Sequence, residues 1–184
     1  WKSTGKNDYK ACKMWGRPRR GLKTASPREL HCIRAFCRQC SVGEMVRWLY
    51  DLYESLPENC AVSFYMEANF MQDTILDEFQ REGDLRGYQL PIMPDTRKKP
   101  DKFARIEAIS PLWERGFVWY NIKYKDDADM KTSIDQTLSF EQGSRAHDDS
   151  PDADEGAIYK LQKQVRQDAA PPRIGVREPP KSGW

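Results

Sequence analysis

The sequence predicts an α/β fold with a mixed sheet flanked by helices, and three observations predict it. Alternating strand and helix periodicities succeed one another along most of the 184-residue chain. The first two strand-like runs are joined by a turn and read as a hairpin, which makes the sheet mixed. The chain is also long enough to bury one real core.

Tyr9 to Trp15 reads as a strand leaving a Gly5-Lys6-Asn7-Asp8 turn. Residues 16–21, with Gly16, Pro18 and Gly21, form a turn, and Leu30 to Cys40 reads as the hairpin partner. Ser41 is an N-cap with Glu44 three residues on, the pattern of a capping box. Val42, Met45, Val46, Leu49, Leu52, Tyr53 and Leu56 then follow helical spacing, and Pro57-Glu58-Asn59 ends the run. In Ala61 to Glu67, Val62, Phe64 and Met66 face one side, while Ser63, Tyr65 and Glu67 face the other. A helix follows with Phe70, Met71, Ile75, Leu76 and Phe79 on its apolar side, and Gly83 and Gly87 bracket its end. Tyr88 to Met93 is a short strand. Pro100 opens a helix with Phe103, Ile106, Ile109 and Trp113 on one face, stopped by Gly116. Phe117 to Ile122 is a strand, and Ala128 to Phe140 a weaker helix. The last helix carries Ala153, Ala157, Leu161 and Val165 at four-residue spacing. From Ala169 onward Pro171, Pro172, Gly175, Pro179, Pro180 and Gly183 dominate, so residues 169–184 read as a flexible tail. The domain expected from this pattern spans residues 1–168.

Charged residues are 32% of the chain and the net charge is +2, so no global basic field advertises nucleic acid. The distribution is uneven. Lys2, Lys6, Lys10, Lys13, Arg17, Arg19, Arg20 and Lys23 make the beginning basic, and Arg97, Lys98, Lys99, Lys102 and Arg105 form a second basic group. The stretch from Asp126 to Asp154 is acidic. Basic surface beside an acidic pocket fits a phosphodiester held over metals; two solvated charge runs are the plainer reading. No apolar run approaches the ~20 residues needed to cross a bilayer, and no apolar leader is expected at the start. Five cysteines, an odd number, fit a reducing compartment.

The segment from His147 to Ala153 packs Asp148, Asp149 and Asp152 into five residues at a helix start. Like charges this close repel, and a divalent ion reverses the sign of that cost. Far upstream, an apolar strand ends on Glu67. Capping and dipole complementation explain one aspartate at a helix start. Three of them together with Glu67 point to Mg²⁺ or Mn²⁺ held in a two-metal site, as in nucleases of the ribonuclease H type. Glu67 and Asp149 converge if the Glu67 strand is central and the last helix packs beside it.

Four segments in order, reaching to about Leu161, resemble the C-terminal nuclease domain of the large terminase subunit of tailed bacteriophages. Trp1 to Ala11 resembles the loop after the family's first metal-binding aspartate. Phe64-Tyr65-Met66-Glu67-Ala68-Asn69 resembles the strand bearing the second acid. Lys102 to Gly116 resembles the family's Lys/Arg helix ending in glycine before a strand. His147 to Ala153 resembles the third acidic motif. The resemblance implies a ribonuclease H-like fold that cuts double-stranded viral DNA with Mg²⁺ or Mn²⁺ during genome packaging into procapsids, in the host bacterial cytoplasm. It implies Glu67 and Asp149 as metal ligands, Asp148 and Asp152 as direct or outer ligands, and Lys102 and Arg105 near the DNA backbone; Lys6, in a basic turn, and Lys99, in the second basic group, are further candidates for DNA phosphate contact. Its implied partners are double-stranded DNA, the portal protein, the small terminase subunit and an N-terminal ATPase domain of the same polypeptide, with no membrane. The family's first aspartate lies on a strand just before residues matching Trp1, so that strand is expected to be missing; Asp8 is a doubtful substitute. No phosphate-binding Gly-x-x-x-x-Gly-Lys-Ser/Thr loop occurs, so the ATPase is expected to lie outside this sequence.

Two other classes stay open: another ribonuclease H-like nuclease of resolvase or integrase type, and a non-catalytic docking module for portal or regulatory subunit. Cys37-Arg38-Gln39-Cys40 with His31 and Cys32 lacks a second ligand pair at zinc-finger spacing and reads as buried or strand-edge thiols. Neither His31 nor His147 sits in a protease signature. His147 reads as a turn residue before the helix, or as a base beside the metals. Trp15, Trp48, Trp113 and Trp119 fall on apolar faces and are expected in the core.

Overall fold

A computed structural model describes residues 9–18, 26, 28–58, 60–71, 73–143 and 146–168, with side chains up to residue 163. Lys6, Asp8 and the expected tail 169–184 lie outside the described residues. The chain is a mixed α/β protein. β1 (Tyr9–Gly16) and β2 (Leu30–Gln39) form the expected antiparallel hairpin, and β5 (Val118–Tyr120) pairs parallel to β2, in the order β1-β2-β5. The ladder slips between Met14 and Trp15, where β2 carries Ile33 as an extra residue, so that Cys32 and Ala35, an odd number of positions apart, both face the second core.

α1 (Val42–Glu54) begins on the expected capping box: Glu44 N–H donates to Ser41 Oγ at 3.2 Å, and Ser41 N–H donates to Glu44 Oε2 at 3.0 Å. Its Met45, Val46, Leu49 and Tyr50 pack on Phe36 of β2 and on Cys40 just after it, with Phe64, Ile75, Phe79 and Leu90 completing this core. β3 (Phe64–Glu67) is shorter than the predicted 61–67. A single 3₁₀ turn, Ala68–Phe70, separates it from α2 (Asp73–Arg86), so Phe70 is not in the helix and stands exposed, as does Leu76. Gly87, at φ 79°, ends α2 in a backbone region that glycine enters without a Cβ penalty. β4 (Ile92–Asp95) lies slightly later than predicted.

The single helix expected after Pro100 is instead two. α3 (Lys102–Glu107) stops, and Pro111 opens the separate α4 (Pro111–Glu114), because proline lacks the N–H that would continue the first helix. Ile109 and Trp113 still reach the second core, with Trp15, Leu30, Cys32, Ala35, Met130 and Ile158. Gly116, at φ 68°, terminates α4. β5 is only three residues long, followed by a 3₁₀ turn at Ile122–Tyr124. Trp119 is 53% exposed, against the expectation of a core residue, because it points away from both cores on this short edge strand. α5 (Ala128–Leu138) and α6 (Asp149–Asp168) then cover the hairpin face opposite α1.

The expectation that the Glu67 strand is central does not hold among the described residues. β3 pairs in parallel with β4 alone, as a second two-stranded sheet, and no described strand pairs with the outer edge of β1 or of β3. No described helix is long and apolar enough to cross a membrane.

Candidate active site

The site begins with how α6 is held. Ser150 is fully buried; its Oγ donates to Ser133 O at 2.7 Å, and its N–H donates to Gln136 Oε1 at 3.0 Å. One turn further on, Asp154 lies on the same side. Asp154, with no exposure, accepts from Trp15 Nε1 at 3.1 Å and Thr137 Oγ1 at 2.9 Å, and lies 2.8 Å from Lys13 Nζ. Pinned through Ser150 and Asp154 to α5 and β1, the helix turns Asp148, Asp149 and Asp152 toward a cleft of about 1140 Å³.

That cleft is walled by two complete strands. All eight residues of β1 line one side, and residues 60–67 line the other. Met45, Leu49 and Leu52 of α1 contribute apolar floor, and Glu67, Asp95, Asp148, Asp149 and Asp152 supply carboxylates. Two anchors orient the walls. Tyr9 packs on His147 at 4.5 Å between ring centroids, while Trp15 reaches Asp154, so β1 runs alongside α6 in the same sense. Lys160 Nζ sits 4.3 Å over the Tyr65 ring, while Glu67 lies toward the acidic start of α6 through Lys99, so β3 runs against it.

Each sequence-predicted acid has a definite neighbour. Glu67 ends β3 in register with Asp95 of β4 and accepts a hydrogen bond from Lys99 Nζ. Asp148 Oδ1 lies 2.7 Å from Lys102 Nζ, which also stands 3.5 Å from Asp152 Oδ2. Asp152 Oδ1 is 2.6 Å from Arg105. Burial pushes the Asp149 carboxyl above the ordinary aspartate range; Lys102 opposes the shift and Asp148 reinforces it. Among the described residues no three His, Cys, Asp or Glu side chains are arranged to hold a metal ion. The acids share one cleft, but Lys99 holds Glu67 while Lys102 bridges Asp148 and Asp152.

The donor set nevertheless suits a hard divalent ion. It consists of carboxylate oxygens, one of them desolvated and crowded by its like-charged neighbour, and the Lys99 ammonium already stands as a cation on Glu67. Glu67, Asp149, Asp148 and Asp152 are the side chains that would hold such an ion. The second basic group is also placed. Lys99, Lys102 and Arg105, read from the sequence as DNA-facing, all point at carboxylates, and Lys6 lies outside the described residues.

The sequence reading missed three acids. Asp95 accepts from Arg97 Nε at 3.0 Å and from Lys160 Nζ at 2.8 Å. Burial raises its carboxyl, but the Lys160 bond and the charges of Lys160 and Arg97 outweigh this and hold it below the ordinary range. Glu155 receives Arg97 Nη1 at 2.7 Å and Arg105 Nη1 at 2.5 Å. Asp154 is the third. The available signals were Asp95 at the tip of an apolar run and the acidic run extending through Asp154 and Glu155. The cysteine reading agrees with the structure: Cys32, Cys37 and Cys40 are buried.

Compared with protein-family models and with curated proteins, the chain matches none.

Proposed function

We propose that this chain is a metal-dependent endonuclease domain of ribonuclease H-like fold. It cuts double-stranded viral DNA during genome packaging, as the large terminase subunit of tailed bacteriophages does. The carrying observation is the cleft between the outer edges of β1 and β3, neither paired by any described strand, with Glu67 and Asp149 both on its wall. Two antiparallel edges facing each other accept one further extended strand, parallel to one and antiparallel to the other. Such a strand, supplied from upstream of Trp1, joins the two sheets as β5-β2-β1-new-β3-β4. In that order β3 becomes interior, and an acid on the new strand lies between the Glu67 and Asp149 walls.

When bound, two divalent ions stabilise the attacking and leaving oxygens of a phosphodiester. Glu67 and Asp149 would hold them, Asp148 and Asp152 would orient and neutralise, and Lys99 and Lys102 would meet the DNA backbone, while Arg105 ties α3 to α6 through Asp152 and Glu155. The partners on this reading are double-stranded DNA, the portal protein, the small terminase subunit and the ATPase domain of the same polypeptide, in the host bacterial cytoplasm.

The test is cleavage of supercoiled plasmid with Mn²⁺, Mg²⁺ or EDTA, with and without the upstream strand. Metal-dependent nicking and linearisation that appears with the strand restored is the expected result. A preference for branched over linear DNA moves the assignment to a resolvase-type enzyme. Absence of cleavage by both folded forms removes the nuclease reading and favours a docking module, in which the ion pairs on Glu67, Asp148 and Asp152 are purely structural.

A further inference from the structure

One short segment supplies a cation to nearly every carboxylate around the cleft mouth. Lys99 takes Glu67, Lys102 takes Asp148 and Asp152, and Arg105 takes Asp152 and Glu155. Arg97 takes Asp95 and Glu155. These residues lie between β4 and the middle of α3, a stretch of nine positions, 97–105. The pairs differ in depth. Arg97 and Arg105 are 13% and 8% exposed and bind buried acids, so they are fixed parts of the fold. Lys99 and Lys102 are 21% and 39% exposed and bind acids at least as open as themselves or facing the cleft, so they can leave.

Resting on the nuclease reading above, we infer that Lys99 and Lys102 are exchangeable internal counter-ions. They occupy Glu67, Asp148 and Asp152 until a divalent ion takes those oxygens, and once displaced they turn to DNA phosphates. No covalent step is involved: one cation replaces another on the carboxylates, and the released ammonium groups gain a new anionic partner. An ammonium and a divalent ion cannot share one carboxylate pair without like-charge repulsion, so the two occupancies compete. Metal binding therefore makes the protein a better ligand for duplex DNA, and by thermodynamic reciprocity duplex DNA tightens metal binding. The two arginines stay in place and keep α3 docked while the lysines move.

The experiment is Mn²⁺ titration of the full chain carrying the upstream strand, followed calorimetrically without DNA. In parallel, a fluorescent 20-base-pair duplex is titrated in Ca²⁺ or EDTA and read by anisotropy. Lys99→Met is expected to tighten Mn²⁺ binding about tenfold and to shrink the Ca²⁺-dependent gain in duplex affinity. Lys102→Met behaves alike, and Lys99→Arg keeps the wild-type values. Circular dichroism confirms that each variant is folded. Mn²⁺ binding that Glu67→Gln abolishes but Lys99→Met and Lys102→Met leave unchanged overturns the counter-ion role while the nuclease reading stands. No saturable Mn²⁺ binding by the wild-type chain removes both.

Discussion

Lys13 Nζ lies 2.8 Å from Asp154 Oδ1, and the two side chains are 1% and 0% exposed. This pair joins the first strand to the last helix across most of the sequence, and Trp15 Nε1 and Thr137 Oγ1 complete the carboxylate's partners. It sets the rotation of α6 that sends Asp149 into the cleft. Removing one partner of a buried ion pair leaves the other charge uncompensated, at a cost of about 3–5 kcal/mol. Asp154→Ala is therefore expected to lower unfolding free energy by that amount in a urea titration. Glu78→Ala, which breaks the exposed pair with Arg81, is expected to change it by no more than about 1 kcal/mol.

Glu67 and Asp149 carry the proposed chemistry without carrying the fold. In a chain extended by the proposed upstream strand, Glu67→Ala or Asp149→Ala is expected to abolish Mn²⁺-dependent plasmid cleavage. Neither side chain is in a buried core cluster, so the thermal midpoint is expected to shift by only about 2 °C. Cutting retained by both variants would show that these acids are not the site.

Ser41 closes the capping box of α1 on the helix that floors the cleft. Ser41→Ala removes the Oγ acceptor of Glu44 N–H, and Glu44, whose carboxyl that box holds below its ordinary range, loses its anchor. The expected loss is about 1 kcal/mol, measured by urea titration.

Burial pushes the thiols of Cys12, Cys32 and Cys37 up to about 12. At pH 8 only roughly one in 10⁴ of each is thiolate, so iodoacetamide is expected to leave them unmodified in the native protein and to alkylate them in urea. The folded protein holds these protons more tightly than the unfolded chain. Stability from these groups is thus whole below the unfolded thiol value and is lost as pH rises from about 9 toward 12. A chemical-denaturation series over that range checks the slope.

The hairpin, α1 and the positions of both acid motifs were legible because each rests on a local signal. Those signals are alternation at Tyr9 to Trp15, Ser41 with Glu44, and an apolar run ending at Glu67. The split at Pro111 was legible in principle, since proline marks a helix start as readily as an interruption. Trp119 was not, because exposure on a three-residue edge strand depends on which neighbours the sheet has, and among the described strands β5 pairs with β2 alone.

By itself the sequence determined the order and type of most strands and helices, and that acids stand at one strand end and one helix start. These follow from side-chain period, caps and backbone limits within a few residues. Only the tertiary structure decided that β3 stands apart from β1 across an open cleft. It alone turned Asp154 and Glu155 into the packed interior while Asp149 faced the cleft, and it alone drew Lys99 and Lys102 onto the acids rather than into solvent. Those outcomes rest on contacts between groups some 30 to 140 positions apart. There the packing of α6 on the hairpin and the cost of burying charge without a partner choose among arrangements that local pattern leaves equal.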